Sequence, residues 1–215
     1  MEQRRRTFPG DLYRSPWTWA CLIGILVVAA LGPLVTRVAP PLPVLGNVGA
    51  FSLVDSDGRA FGAEQLRGTA TIVSFFFTRC PSICPLLMHA VKGVQNEIAA
   101  SGERSVRLLS VTADPEYDTP ERLRDYGKAL GVDPARWALV TGDPAEIRRL
   151  ATVGFHVAIG DSAPAGGPGP LDIAHTGKLV LVDPHGAIRG YYDTDRKGLE
   201  EVWTRAREVS RETAR

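Results

Sequence analysis

Residues 69–87, "TATIVSFFFTRCPSICPLL", join an uninterrupted apolar run to a pair of cysteines. β-Branched and aromatic residues fill 69–77, which is typical of a strand buried on both faces. Pro85 then stands where the first turn of a helix accepts proline, and apolar residues follow it at helical spacing. The stretch therefore predicts a buried strand, a short loop with Cys80 and Cys84, and a helix.

The rest of the chain continues the alternation of strand and helix. We predict strands over 105–113 and 137–142, a helix capped by Thr119 over 118–131, a helix opened by an Asp-x-x-Glu capping box over 143–154, a hairpin over 177–192, and a charged helix from Asp195 to about Thr213. This order predicts an α/β, thioredoxin-like fold with an N-terminal β-hairpin extension over 50–62. Parallel strands place a site at their carboxyl ends, where the cysteines stand.

The N-terminal part of the chain predicts a single transmembrane helix over 17–36. No charged residue lies between Arg14 and Arg37, and an apolar helix of that length reaches roughly 30 Å, the thickness of a bilayer core. A cleaved signal peptide is less favoured, because the run is longer than a typical signal core and no small-x-small cleavage site follows it.

The flanking charges predict the orientation of this helix. Four arginines precede the apolar run and only Arg37 closely follows it, which keeps residues 1–16 in the cytoplasm. We therefore expect a single-pass protein of a bacterial inner membrane. Residues 37–46 are a proline-rich linker, and 47–212 form a periplasmic thioredoxin-like domain.

Composition and cysteine usage narrow the function. The chain has 215 residues, 44% of them hydrophobic, and a formal net charge of +1, which argues against a nucleic-acid partner. Of its three cysteines, Cys21 lies in the apolar run and Cys80 and Cys84 lie in the exported domain, where disulfides can persist. The pair could form a disulfide, exchange one with a partner, or bind a metal, and a position at a helix N-terminus favours the Cys84 thiolate.

The four histidines decide between these uses. We expect His185 to be an exposed turn residue, His89 to be a surface residue or a satisfied core residue, and His156 to have no special chemistry. His175 stands between a Gly/Pro-rich loop and the next strand, and the residues alone leave open whether it meets the cysteines. Two thiolates and one imidazole would suit Cu(I), and Cu(II) with a weak extra ligand, whereas structural zinc usually has four protein ligands.

Four segments of the chain resemble the Sco/SenC family. They are "FTRCPSICPLLM", "LLSVTADPEYDTPERLRDY", "IAHTGKLVLVDPHG" and "GYYDTDRKGLEEV", and the likeness runs in order from about residue 44 to 205. Members of this family are membrane-anchored, thioredoxin-like copper chaperones for cytochrome c oxidase assembly. The resemblance implies that Cys80, Cys84 and His175 bind copper and that the recipient is the dinuclear copper centre of subunit II.

The chain departs from the family at one position. The family commonly has an acidic residue directly before the ligand histidine, where this chain has Ala174. Asp172, two positions earlier, is a candidate to orient the ring of His175, and Asp114 is a second candidate carboxylate near the site.

Two other functions stay open from the sequence. The chain could be a thiol–disulfide oxidoreductase that reduces the oxidase cysteines with Cys80 and Cys84, or a copper-linked redox sensor. A purely structural disulfide is the least favoured reading, because so short a loop removes little chain entropy. Copper loading in an oxidising compartment implies a copper donor and a thioredoxin-like reductant as partners.

Overall fold

The computed structural model describes most of the chain, namely residues 16–35, 42–81, 83–157 and 177–212. The chain divides into two compact units, Met1–Pro41 and Leu42–Arg215.

The first unit contains one helix in its described part. Helix α1 spans Pro16–Val35, and Trp17 and Trp19 near its start are exposed. Across the described ranges, no helix combines the length and the hydropathy of a membrane span. The transmembrane helix predicted over 17–36 is therefore not confirmed.

The second unit is built on one mixed sheet. Its eight described strands run in the spatial order β1-β8-β7-β4-β5-β6-β2-β3. In chain order they are β1 (Gly46–Asn47), β2 (Ser52–Asp55), β3 (Ala60–Gly62), β4 (Ala70–Phe76), β5 (Val106–Thr112), β6 (Trp137–Thr141), β7 (Leu179–Val182) and β8 (Ala187–Tyr192).

The centre of the sheet is parallel. β4 pairs with β5 over its whole length, and β5 pairs with β6 in the same direction. β7 is antiparallel to β4 and forms a hairpin with β8. All seven residues of β4 are buried, as its continuous apolar sequence predicts for a strand covered on both faces.

The helices of this unit connect and cover the strands. They are α2 (Ile83–Ser101), α3 (Pro120–Leu130), α4 (Pro144–Arg149) and α5 (Arg196–Glu212). The order β4-α2-β5 followed by β7-β8-α5 is the predicted thioredoxin-like arrangement. The predicted ends of α3 are also confirmed, because the Thr119 hydroxyl caps its start and Gly131 ends it with a positive φ of 73°.

The two faces of the sheet have separate cores. On one face α2 and α5 cover alternate residues of the central strands, among them Ile72 and Leu108. On the other face, Val73 and Leu109 pack with Leu66 and with residues of the α4 region. The carboxyl ends of β4, β5 and β6 are left at one edge, where their connecting loops meet.

The predicted helix over 143–154 is only partly α-helical. Asp143 caps α4 by accepting hydrogen bonds from the backbone of Ala145 and Glu146. The Glu146 carboxylate does not close a capping box but accepts hydrogen bonds from the Ser52 N–H and from Arg149. After α4 the backbone passes into a π-helical turn over Leu150–Gly154.

A buried arginine joins the first described residue of this unit to the sheet. Arg189 on β8 is 9% exposed, and its Nη1 lies 2.9 Å from Oδ2 of Asp183. The same guanidinium donates two hydrogen bonds to the carbonyl of Leu42, at 3.2 and 2.6 Å, and one to Glu212 at the end of α5. The start and the end of the domain are thereby held at one edge of the sheet.

Candidate metal centre

The two cysteines flank the connection from β4 to α2. The backbone N–H of Cys80 donates a hydrogen bond to the carbonyl of Phe77 at 3.3 Å, which turns the chain just after the strand. Cys84 is the second residue of α2. Both thiols are free rather than joined in a disulfide, and the residues are 9% and 3% exposed, respectively.

The two thiols are in direct contact, and the neutral form of Cys84 is favoured. Burial is the largest cause that raises the pKa of Cys84 to about 12, and the hydrogen bond with Cys80 raises it further. A backbone hydrogen bond at Phe77 acts in the opposite direction but is the smaller effect. The expectation that the helix N-terminus would favour the thiolate is therefore wrong for this metal-free state, because desolvation disfavours the charged form more strongly.

A buried aspartate holds the cysteine loop from the neighbouring connection. Asp118 follows β5 and is 0% exposed. Its carboxylate accepts hydrogen bonds from the N–H and the hydroxyl of Thr78, and from the hydroxyl of Thr112 at 2.5 Å. The carboxyl ends of β4 and β5 are thus tied to each other two residues before Cys80.

A second contact between the same loops lies at the surface. Nε of Arg79 is 2.5 Å from Oδ2 of Asp114, and the guanidinium lies 4.7 Å from the centre of the Tyr117 ring. Arg122 packs on that ring at 3.8 Å. Asp114, a predicted candidate near the site, therefore has Arg79 as an ion-pair partner.

The turn that follows Cys84 faces solvent with apolar atoms. Pro85 is exposed, and Leu86 is 73% exposed in the first turn of α2. An exposed leucine beside a buried thiol pair offers a partner protein an apolar contact next to the sulfur atoms.

Three of the four histidines are described, and all three are exposed. His89 lies on α2 and His185 in the β7–β8 turn, as predicted, and His156 has a positive φ of 55°. His175 and Asp172 lie outside the described residues. Within residues 16–35, 42–81, 83–157 and 177–212, no group of three or more His, Cys, Asp and Glu side chains is arranged to hold a metal ion.

The described chain resumes beside the cysteine loop. Gly177 has a φ of +61°, and a Cβ placed on it would lie 3.3 Å from Cδ1 of Ile83 and 3.4 Å from Oγ1 of Thr194. Ile83 immediately precedes Cys84. The residue two positions after His175 therefore packs against the segment that carries the thiols.

Sequence reasoning missed the part that Asp118 has in this site. It lies in the "DPEYDTP" loop, where an aspartate is typical of a turn or a helix cap, and the structure buries it completely. The available signal was the pair of threonines, Thr78 and Thr112, at the ends of two strands predicted to be parallel neighbours. Tyr126 was also missed: burial is the largest cause that raises its pKa to about 12.

Comparisons with known proteins agree with this fold. The family model described as SCO1/SenC matches residues 45–210. A SCO2-like protein of Rickettsia prowazekii is 32% identical to this chain over 191 residues, which are 83% of this chain and 91% of that protein.

Solved structures show the same thioredoxin-like α/β architecture. One of them is BsSco, described as a member of the Sco family of cytochrome c oxidase assembly proteins with a disulfide switch. It matches with a TM-score of 0.68 at 24% identity, and the match covers 80% of this chain and 98% of BsSco. ScoI of Bradyrhizobium japonicum, solved with copper bound, matches with a TM-score of 0.60 at 25% identity and covers 75% of this chain and 98% of its own.

Proposed function

Because the chain belongs to the SCO1/SenC family, we propose that it is a copper chaperone. It binds one copper ion through Cys80, Cys84 and His175, and it delivers that ion to the dinuclear copper centre of cytochrome c oxidase subunit II. The observation that carries the proposal is the contact between two buried, reduced thiols at the carboxyl edge of the parallel strands.

The thiol pair fits copper by its donor chemistry. Two sulfur atoms in contact, in a largely desolvated position, suit a soft ion such as Cu(I). Each thiol must lose its proton when the metal binds, so the raised pKa of Cys84 makes binding dependent on pH. The copper-bound ScoI of Bradyrhizobium japonicum supports copper as the cargo.

Chain connectivity supports His175 as the third ligand. Gly177 packs against Ile83, and two Cα steps keep the Cα of His175 within about 8 Å of the Cα of Gly177. The proposed ligand therefore precedes, by two residues, a segment that packs beside Cys84. Asp172 is proposed to orient the ring in place of the acidic residue that Ala174 replaces.

A three-ligand site suits transfer rather than storage. A copper ion with two thiolates and one imidazole leaves room for a thiolate of the recipient to bind before the first ligand leaves. The exposed Leu86 and the Arg79–Asp114 pair border the cysteines and are proposed to contact the recipient. Transfer is then driven by the higher affinity of the recipient site.

The location follows from the sequence. We propose that residues 17–36 anchor the chain in the inner membrane and that the domain from 47 to 212 lies in the periplasm. Disulfides form and persist in such a compartment, so a thioredoxin-like reductant is proposed to keep the pair reduced, and a copper donor to load it.

A second candidate function is the reduction of the recipient's disulfide. It is favoured by the same contact, because a hydrogen bond joins the side chains of Cys80 and Cys84, the pair that a disulfide would link. One thiolate would attack the partner disulfide, and the other would then close the Cys80–Cys84 bond and release the partner as a dithiol, so that two electrons pass to the partner. His175 is not needed for this reaction.

Copper binding to the full-length, reduced chain tests the first function. We expect one copper per chain, a thiolate-to-Cu(II) charge-transfer band with Cu(II), and loss of both after oxidation of the cysteines. His175→Ala should weaken copper binding by at least about a hundredfold and leave disulfide exchange unchanged. His89→Ala, an exposed histidine on α2, is the matched control and should bind copper like the wild type.

Delivery is tested by mixing the copper-loaded chain with the copper-free domain of subunit II. Copper should move to the recipient, and an Ala variant of the recipient's cysteines should receive none. Unchanged copper affinity in His175→Ala would contradict the three-ligand site. A chain that exchanges disulfides but binds no copper would establish the reductase instead.

A further inference from the structure

A cavity of about 320 Å³ lies at the opposite end of the sheet from the cysteines. It is lined by residues at the starts of the parallel strands, including Thr71 on β4, Arg107 on β5 and Trp137 on β6. The five residue steps from Thr71 to Phe76 along β4 correspond to roughly 17 Å. The cavity is therefore separate from the thiol site, and its volume is in the range of small-molecule sites.

One part of the cavity wall is apolar. Leu109 on β5 lines it from the sheet, and Phe61 and Leu66, from the segment that returns from β3 to β4, line it from the opposite side. Leu66 and Leu109 belong to the second core, and Phe61 packs against that core. The cavity is thus a gap at the edge of a packed core, where a flat apolar ligand can be enclosed.

A buried hydroxyl group lies in the wall. Thr71 is 2% exposed, and its Oγ1 has no hydrogen-bond partner among the described residues. A buried unpaired hydroxyl costs on the order of 1–3 kcal/mol. A 120° rotation about the Cα–Cβ bond would bring the hydroxyl to the position that the methyl group now has, where it could bind a polar atom inside the cavity.

The rim of the cavity is positively charged. Three arginines line it, Arg59, Arg107 and Arg136, against a single carboxylate, that of Asp55. Oδ1 of Asp55 already accepts hydrogen bonds from the backbone N–H groups of residues 57 and 59. Arg59 and Arg136 have ion-pair partners of their own. The exposed Arg107 has none within the described part of the chain, so its guanidinium is available to an anion.

We propose that this cavity binds a small carboxylate with a flat apolar body and a second hydrogen-bonding group. The carboxylate pairs with Arg107 at the rim, the apolar body lies between Phe61 and Leu109, and the distal polar group bonds to the Thr71 hydroxyl. The proposal does not depend on the copper function, because no residue of the thiol site takes part.

Calorimetric titration of the full-length chain in non-ionic detergent tests the proposal. The probe is 4-hydroxybenzoate, and benzoate is the comparison compound that lacks the distal hydroxyl. Titration into detergent alone is the blank. We expect saturable 1:1 binding of 4-hydroxybenzoate with a Kd of about 0.1–1 mM, and about three- to tenfold weaker binding of benzoate. Thr71→Val should remove the difference between the probes, and Arg107→Gln should weaken both about fivefold.

Two variants serve as matched controls. Thr141→Val removes a second buried hydroxyl that has no partner in the described structure, and Thr141 does not line this cavity. Arg104→Gln removes an exposed arginine near Arg107 that does not line the cavity either. Neither should change the affinity for 4-hydroxybenzoate. Absence of saturable binding up to about 10 mM, or equal effects of Arg104→Gln and Arg107→Gln, would overturn the proposal. Equal affinities of the wild type for the two probes would overturn the assignment of Thr71.

Discussion

The carboxylate of Asp118 accepts hydrogen bonds from both the backbone N–H and the hydroxyl of Thr78. Thr78 is two residues before Cys80, and Asp118 belongs to the connection that follows the next strand. The position of the first cysteine is therefore controlled by a residue almost forty positions later in the chain. Because Asp118 is completely buried, this contact is shielded from water and strengthened by its surroundings.

Replacement of Asp118 by asparagine should loosen the cysteine loop. The amide keeps the shape of the side chain, but its NH2 group would face hydroxyl groups that are hydrogen-bond donors in the wild type. We therefore expect the free energy of unfolding to fall by about 2–3 kcal/mol and copper to bind about tenfold more weakly. Urea denaturation and copper competition measure the two effects. Asp125→Asn, at an exposed position of α3, is the control. If Asp118→Asn loses no more stability than this control, the hydrogen bonds between Asp118 and Thr78 do not hold the cysteine loop.

Gly177→Ala should disturb the site through the contact with Ile83. A side chain at a φ of +61° is strained, and its Cβ would press on Ile83 beside Cys84. Gly58→Ala adds the same strain at a φ of +77°, but nothing lies within 4 Å of the new Cβ. We expect both variants to lose about 1 kcal/mol of stability. Weaker copper binding should occur in Gly177→Ala alone, and an equal loss in both variants would rule out the contact as its cause.

The metal-free chain should keep Cys84 protonated well above neutral pH. Burial raises the pKa of this thiol from its ordinary value of 9.0 to about 12, so alkylation of Cys84 at pH 8 should be slower than in the urea-unfolded chain. The contribution of this protonated thiol to the free energy of unfolding is complete below the pKa that Cys84 has in the unfolded chain. It is lost as the pH rises through the pKa of about 12 that Cys84 has in the folded chain. Mass spectrometry of alkylated peptides between pH 7 and pH 10 would follow the reaction, and equal rates in the folded and unfolded chains would disprove the protection.

Loss of Arg189 should destabilise the domain strongly. Arg189→Met leaves the carboxylate of Asp183 buried without its cation and releases the carbonyl of Leu42, so we expect a loss of about 3–5 kcal/mol in the free energy of unfolding. The double variant Arg189→Met/Asp183→Asn should recover part of it. Arg196→Ala, which removes an exposed pair with Glu200, should leave the urea midpoint unchanged. A midpoint for Arg189→Met equal to that of Arg196→Ala would contradict this account.

Much of the fold was predictable because its signals are local. The apolar run of β4, the Thr119 cap with Gly131 as the end of α3, and the Asp183–Gly186 turn each depend on residues that are neighbours in the chain. The capping box predicted for the helix over 143–154 did not form, because the Glu146 carboxylate accepts hydrogen bonds from Arg149 and from the N–H of Ser52. Ser52 is ninety-four residues away, and no local pattern reports that contact.

The sequence by itself determined the order of the elements and the spacing of Cys80 and Cys84 at the end of a buried strand, since backbone propensity and hydrophobic periodicity act over a few residues. Only the tertiary structure decided that Asp118 is buried beneath the cysteine loop and that Cys84 is a protonated thiol. It also revealed that the exposed Arg107 and the buried Thr71 line the same cavity. These properties depend on desolvation, and desolvation is set by which distant segments pack over a group, a quantity that no local stretch of sequence contains.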